Sequence, residues 1–129
     1  MISDISKVSL TSEKDSINVV SDQIGSPTSA QDLSKVCWKI IHNKTGELPF
    51  ILHWSDAGVA SWFDIAVAVG ELAKELDINK KEAIVLPINT SEYPTPARRP
   101  KYSLLNTQNT SSLLDINPIH WRKNLRKIL

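Results

Sequence analysis

The sequence predicts a small mixed α/β fold, α+β-like in that short strands and two to three amphipathic helices share one lobe. Three observations predict it. Apolar, partly β-branched runs bounded by Ser, Asp, Gly or Pro recur as strand candidates. Two longer stretches carry apolar residues at three- and four-residue spacing behind capping-box starts. The chain has 129 residues, 41% apolar and 22% charged, which suits one globular domain and excludes a disordered tail or a collagen-like or disulfide scaffold.

Residues 1–16 mix Ser, Lys, Asp and Glu with isolated Ile and Val, so a loose start is expected. Ile17-Asn18-Val19-Val20 reads as a strand that stops at Ser21-Asp22 and opens the loop Asp22-Gln23-Ile24-Gly25-Ser26-Pro27. Thr28 and Gln31 have capping-box spacing, and a helix is expected from about Ser29 to about His42, ending before Gly46. Its apolar face is Leu33, Val36, Cys37, Ile40 and Ile41, which makes Cys37 a small core residue rather than a nucleophile.

Residues 50–54 form an apolar run of strand length, and Ser55-Asp56-Ala57-Gly58 turns the chain away from it. Ser61 and Asp64 again have capping-box spacing, ahead of Trp62, Ile65, Ala66, Val69, Leu72, Ala73 and Leu76 in helical phase. Residues 83–88 read as a third strand, with Pro87 arguing for an edge. Between 89 and 101, Pro94, Pro96 and Pro100 forbid a helix and dictate a stiff, extended loop. After Tyr102-Ser103-Leu104-Leu105 and a polar stretch, Pro118 leads into a last helix. Trp121, Leu125 and Ile128 share one of its faces, and Arg122, Lys123, Arg126 and Lys127 the other.

Fifteen Lys and Arg against fourteen Asp and Glu leave a net charge of +1, which gives no overall footprint for nucleic acid or an anionic membrane. The opening residues lack the apolar core of a secretion signal, and no run reaches membrane-spanning length, so a cytoplasmic chain is expected. A single cysteine fits a reducing compartment. His42, His53 and His120 have no partner at ligand spacing, so no metal ligands are assigned. Glycines 25, 46, 58 and 70 make neither a G-x-G-x-x-G turn nor a P-loop, and neither Tyr93 nor Tyr102 has a lysine four positions on. No catalytic or cofactor-binding residue is therefore assigned. The four tryptophans, each beside an apolar run, read as packing residues.

Two motifs carry chemistry. In Pro94-Thr95-Pro96-Ala97-Arg98-Arg99-Pro100, two guanidiniums ride on a proline-stiffened segment. Such a segment suits bidentate contact with phosphate or carboxylate, and equally a surface loop whose arginines pair with acidic neighbours. The loop from Asp22 to Thr28 lies between a strand and a helix N-terminus, where a polar ligand can approach the backbone. Helix capping by Thr28 explains the same residues without a ligand.

Taken together, Val19-Val20-Ser21-Asp22-Gln23-Ile24-Gly25-Ser26-Pro27-Thr28, Ser61-Trp62-Phe63-Asp64 and Thr90-Ser91-Glu92-Tyr93-Pro94-Thr95-Pro96-Ala97-Arg98-Arg99-Pro100 closely resemble the C-terminal part of the dTDP-4-dehydrorhamnose reductase family. The order and spacing match as well, with Tyr102-Ser103-Leu104-Leu105-Asn106 after the arginines and Trp121-Arg122 and Leu125 at the end. Ser29 and Ala60 depart from the family's usual residues. The resemblance covers residues 17–129, leaving 1–16 as a poorly matched N-terminal segment.

That family belongs to the extended short-chain dehydrogenase/reductases, in which an N-terminal Rossmann domain binds NADPH and a smaller C-terminal lobe closes over the nucleotide sugar. The resemblance implies reduction of the 4-keto group of dTDP-4-dehydro-L-rhamnose. It also implies that the Rossmann domain, with its glycine turn and Tyr-x-x-x-Lys pair, is absent here, so that this lobe is inactive alone and binds no NADPH itself. Gln23, Gly25, Ser26, Pro27 and Thr28 would line the sugar side of the cleft, and Arg98 or Arg99 would face the diphosphate. The implied partners are a dTDP-sugar and either a separately encoded Rossmann half or a second copy of the chain. The alternative is a stand-alone nucleotide-sugar-binding or protein-interaction module that has abandoned catalysis.

Overall fold

The computed structural model describes residues 15–43, 46, 48–78 and 83–129. The expectation for residues 1–14 lies outside them. Within the described residues the chain runs β1 (Ser16–Val20), β2 (Ile24–Gly25), α1 (Ala30–Ile41), β3 (Ala60–Ser61), α2 (Trp62–Glu75), β4 (Ile84–Ile88), a 3-10 turn (Thr90–Glu92), α3 (Gln108–Leu114) and α4 (Trp121–Ile128).

β1 and β4 pair in parallel, Ser16 opposite Ile84 and Val20 opposite Ile88, which brings the start of the described chain beside its middle. Each is an edge in this two-stranded sheet, the setting in which Pro87 costs no central ladder bond. β2 and β3 form a two-residue antiparallel pair, Gly25 opposite Ala60.

α2 begins as its spacing predicts. Ser61 Oγ accepts from Asp64 N at 3.1 Å and the Asp64 carboxylate accepts from Ser61 N at 2.7 Å, closing a reciprocal capping box. It ends with Asp77 in the left-handed region (φ 56°) and Ile78 N donating to Ala73 O, which satisfies the last turn's carbonyls. The inner face of α2 meets α4, and Ala60, Ala68, Leu72, Trp121 and Leu125 form the core, with Ile65, Val69 and Leu129 packed against it. Arg122 pairs with Glu71, and Arg126 Nη1 reaches Glu75 Oε2 at 2.5 Å. Two of the four α4 cations thus clamp that helix to α2.

Several expectations are corrected. Residues 50–54 form no strand: no hydrogen-bonded neighbour lies beside them among the described residues, and Phe50 is fully exposed. The apolar face of α1 is buried only in part. Val36 is 3% exposed, whereas Leu33 is 42%, Trp38 61% and Ile41 70%, and Cys37 is exposed rather than in the core. No described element of this chain covers that side of the helix, so the amphipathic spacing signals a face without a partner here. Of the four tryptophans only Trp121 is buried, and Ile128 is exposed. α3 was not foreseen. Its Gln-Asn-Thr-Ser-Ser stretch has little helix propensity, and it is held by packing on α1 and by Lys39 Nζ, which donates to Leu114 O at 3.1 Å.

Candidate functional site

The two motifs meet. Asp22 stands two residues after β1 and Thr90 two residues after β4, so the parallel pairing delivers them to each other. Thr90 N and Thr90 Oγ1 donate to Asp22 Oδ1 at 2.8 and 2.6 Å, and Gln23 Nε2 donates to Thr90 Oγ1 at 3.1 Å. Farther along, Ile24 N donates to Lys101 O at 2.8 Å and Ser103 N to Ile24 O at 2.9 Å. A Cβ at Gly25 would sit 3.1 Å from Ser103 Oγ, so glycine there lets the two backbones approach. Residues 91–100 therefore leave and re-enter the same loop. The proline–arginine segment is pinned at both ends to the strand-side half of the Asp22–Thr28 motif.

Residues 91–100 are exposed throughout. Arg98 and Arg99 have no carboxylate partner among the described residues, so nothing in the structure favours the reading in which acidic neighbours neutralise them. Ser26 Oγ donates to Gly58 O at 2.9 Å, and Thr28 Oγ1 donates to Ser26 O at 3.1 Å. Thr28 is not the helix cap. Ser29 is, its Oγ accepting from Asp32 N at 3.4 Å, one residue later than the Thr28–Gln31 spacing suggested.

The α1 N-terminus is also spoken for. Ser29 N donates to Asp56 Oδ2 at 3.0 Å, and both residues are buried. Asn124 of α4 donates from Nδ2 to Asp56 Oδ2 at 2.8 Å and to Asp32 Oδ2 at 2.7 Å, while Lys35 Nζ contacts Asp32 Oδ1 at 2.6 Å. Two carboxylates at this helix start repel a phosphate, so the strand–loop–helix junction does not suit the pyrophosphate of a dinucleotide. Among the described residues no cluster of His, Cys, Asp or Glu suits a metal ion, and no helix is long and apolar enough to cross a membrane.

Sequence reasoning quoted Thr90 within the matched segment without giving it a role, and assigned neither Asp56 nor Asn124 to the site. One signal was present: Asn124 stands three residues after Trp121 and four before Ile128, on the stripe otherwise read as apolar.

The Thr90 hydroxyl holds the Asp22 carboxyl below its ordinary value of 3.8, with help from Thr90 N–H and the Lys101 charge and against the opposing effect of desolvation. Asp32 is lowered likewise, first by Lys35 and then by Asn124, again against desolvation. Carboxyls lowered in the folded state contribute stability that is complete above their unfolded value and is lost as pH falls through the folded one. Urea midpoints are accordingly expected to hold steady from neutral pH to about 5 and to fall below about 4. Thr90→Val should bring the Asp22 carboxyl back toward 3.8 in an NMR titration and leave Asp32 where it is; an unmoved Asp22 would show that Thr90 is not the cause.

The sequence model of the RmlD substrate binding domain matches residues 5–129. The spore coat polysaccharide biosynthesis protein SpsK of Bacillus subtilis is 35% identical over 120 residues, covering 93% of this chain and 38% of its own. A dTDP-4-dehydrorhamnose reductase of Sinorhizobium fredii is 34% identical over 124 residues, covering 93% and 41%. Among solved structures, dTDP-4-dehydrorhamnose reductase from Bacillus anthracis, crystallised in complex with NADP, aligns with a TM-score of 0.80 at 32% identity over 95% of this chain and 40% of that one. The chain spans about 40% of the length of the relatives it matches. With the family model fitted from residue 5 to the last residue and the fold shared with a solved reductase, the chain belongs to the RmlD substrate-binding-domain family of the dTDP-4-dehydrorhamnose reductases.

Proposed function

We propose that the chain serves as the substrate-binding portion of an NADPH-dependent dTDP-4-dehydrorhamnose reductase, holding dTDP-4-dehydro-L-rhamnose while its 4-keto group is reduced. One observation carries the reading. The loop of residues 22–28 and the arginine segment are fastened together at Thr90 and again at residues 101–103, so a ligand lying on one is presented to the other. Gln23, Gly25, Ser26, Pro27 and Thr28 form the sugar side, and Arg98 or Arg99 meets the diphosphate. The guanidiniums suit that role because they are exposed, unpaired by described carboxylates, and carried between prolines that limit the entropy lost on binding.

Residues 17–129 constitute the lobe, with 1–16 leading into it. The reducing chemistry lies outside this chain, since the described residues neither cradle NADPH nor provide the Tyr-x-x-x-Lys pair. On this reading a cofactor-binding half supplies that chemistry, and the bare apolar side of α1 is a surface on which that half, or a second copy, can dock. Cytoplasmic location follows from the nucleotide-sugar substrate.

The test is titration of the chain with dTDP-L-rhamnose by calorimetry, comparing wild type with Arg98→Ala/Arg99→Ala. Loss of one charge-assisted contact is expected to weaken binding ~10- to 100-fold, with the circular dichroism spectrum unchanged because both side chains are exposed. Equal affinity in the double variant would remove the arginines from the site. NADPH oxidation by the chain alone, given the keto-sugar, would overturn the assignment of the chemistry to another part.

A further inference from the structure

Asp56 and Asn124 are each 3% exposed, and their side-chain hydrogen bonds go to Ser29, Asp32, Lys127 and each other, none of them a residue assigned to the ligand. Their geometry gives them a different task. The Asn124 amide spends its two N–H groups on two carboxylates, Asp56 Oδ2 and Asp32 Oδ2, and its Oδ1 accepts from Lys127 Nζ at 3.1 Å. Asp56 Oδ2 in turn accepts the backbone N–H of Ser29, the residue immediately after the loop 22–28. The same strip of chain makes a second hold on that loop, because Gly58 O accepts from Ser26 Oγ. It is itself tied to the approach to α4, where Ala57 N donates to Ile119 O and Trp121 N to Ala57 O, each at 2.9 Å. The C-terminal helix thus reaches the loop through residues 56–58, at Ser26 within it and at Ser29 just beyond its exit.

We propose that Asp56 and Asn124 are positioning residues. They fix the α1 end of the loop 22–28, as Thr90 and Ser103 fix its strand end, so that α4 sets the geometry in which the loop meets its ligand. The physical reason is the cost of ambiguity in a buried polar cluster. Two carboxylates beside one helix start repel each other unless a donor sits between them, and Asn124 is the neutral side chain with two N–H groups that can serve both. With the amide in place, Asp56 has one orientation and Ser29 one position. Without it, the carboxylates separate and the loop's exit is released. That this matters to a ligand rests on the sugar-nucleotide reading above.

Asn124→Ala and the isosteric Asp56→Asn test the proposal in the 129-residue chain, with Lys123→Ala, exposed on the same helix, as control. Two quantities are read: amide hydrogen exchange at Ser29 and Gly25 by NMR, and affinity for dTDP-L-rhamnose. In both variants Ser29 is expected to exchange about tenfold faster and the ligand to bind about tenfold more weakly, with the far-ultraviolet spectrum retained, while the control changes neither. Folded variants with exchange and affinity within about twofold of wild type would overturn the proposal, as would loss of folding in both, which would assign the cluster to stability alone. If wild type does not bind dTDP-L-rhamnose but Ser29 still exchanges faster in the variants, the ligand reading fails and the anchoring role stands.

Discussion

Replacing Trp121 with alanine is expected to remove most of the chain's folding stability. Trp121 is 8% exposed and packs among Ala60, Ala68, Leu72 and Leu125 in the one core cluster of the described residues. Truncating a buried tryptophan costs about 3–5 kcal/mol, a large share of the roughly 5–15 kcal/mol that holds a domain folded. The other four members of that cluster are alanine or leucine side chains too short to fill the space, and α4 would lose its main contact with α2. Urea denaturation followed by far-ultraviolet circular dichroism should show the transition moved to low denaturant or lost. The matching change at Trp38, 61% exposed on α1, should shift the midpoint little, by about 0.5 kcal/mol or less. Equal effects from the two would mean that the core is not where the structure places it.

Gly58→Ala is the second large effect, and it joins backbone strain to the loop. Gly58 has φ 88°, in the left-handed half of conformational space, and a Cβ there would lie 2.6 Å from His120 Nε2 and 3.0 Å from Trp121 Cδ1. The backbone alone penalises alanine by about 1–2 kcal/mol, and displacing His120 from the cap of α4, where its Nδ1 accepts from Arg122 N, raises the total to about 2–4 kcal/mol. Because Gly58 O also holds Ser26 Oγ, the Ser26 amide resonance should move along with the melting temperature. A variant as stable as wild type would show that His120 can swing away freely.

The sequence announced those parts of the molecule whose cause is local. The Ser61–Asp64 capping box, the β-branched Ile17-Asn18-Val19-Val20 run and the proline spacing of residues 94–100 act within a few residues of themselves, and each produced the expected element. Illegible features depend on what lies alongside. Residues 50–54 have strand chemistry but no neighbouring strand to bond, and the α1 periodicity is real although nothing described covers Trp38 and Ile41. The same holds at the site. Gln23, Thr90 and the arginines were visible as motif residues, whereas the roles of Thr90, Asp56 and Asn124 come from partners between 27 and 92 positions away, a distance no spacing rule reaches. The capping residue slipped by one because Thr28 and Ser29 offer the same hydroxyl, and burial beside Asp56 chose between them.

The parallel pairing of β1 with β4 carries a kinetic consequence. Ser21 and Ile88, Asp22 and Thr90, and Gln23 and Thr90 are bonded across 67 or 68 positions of chain, with no hairpin to bring them together. The α2–α4 core can condense from nearer neighbours, but these contacts must wait until a long intervening segment has been ordered, because closure entropy is lost before any bond repays it. In a refolding experiment the Asp22–Thr90 contacts are expected to gain protection late, together with the other long-range bonds, Ser103 to Ile24 across 79 positions and Asn124 to Asp32 across 92. The loop of residues 22–28 is thus among the parts of this chain that order only after distant segments have met, so contacts made to it from outside have the most to add there.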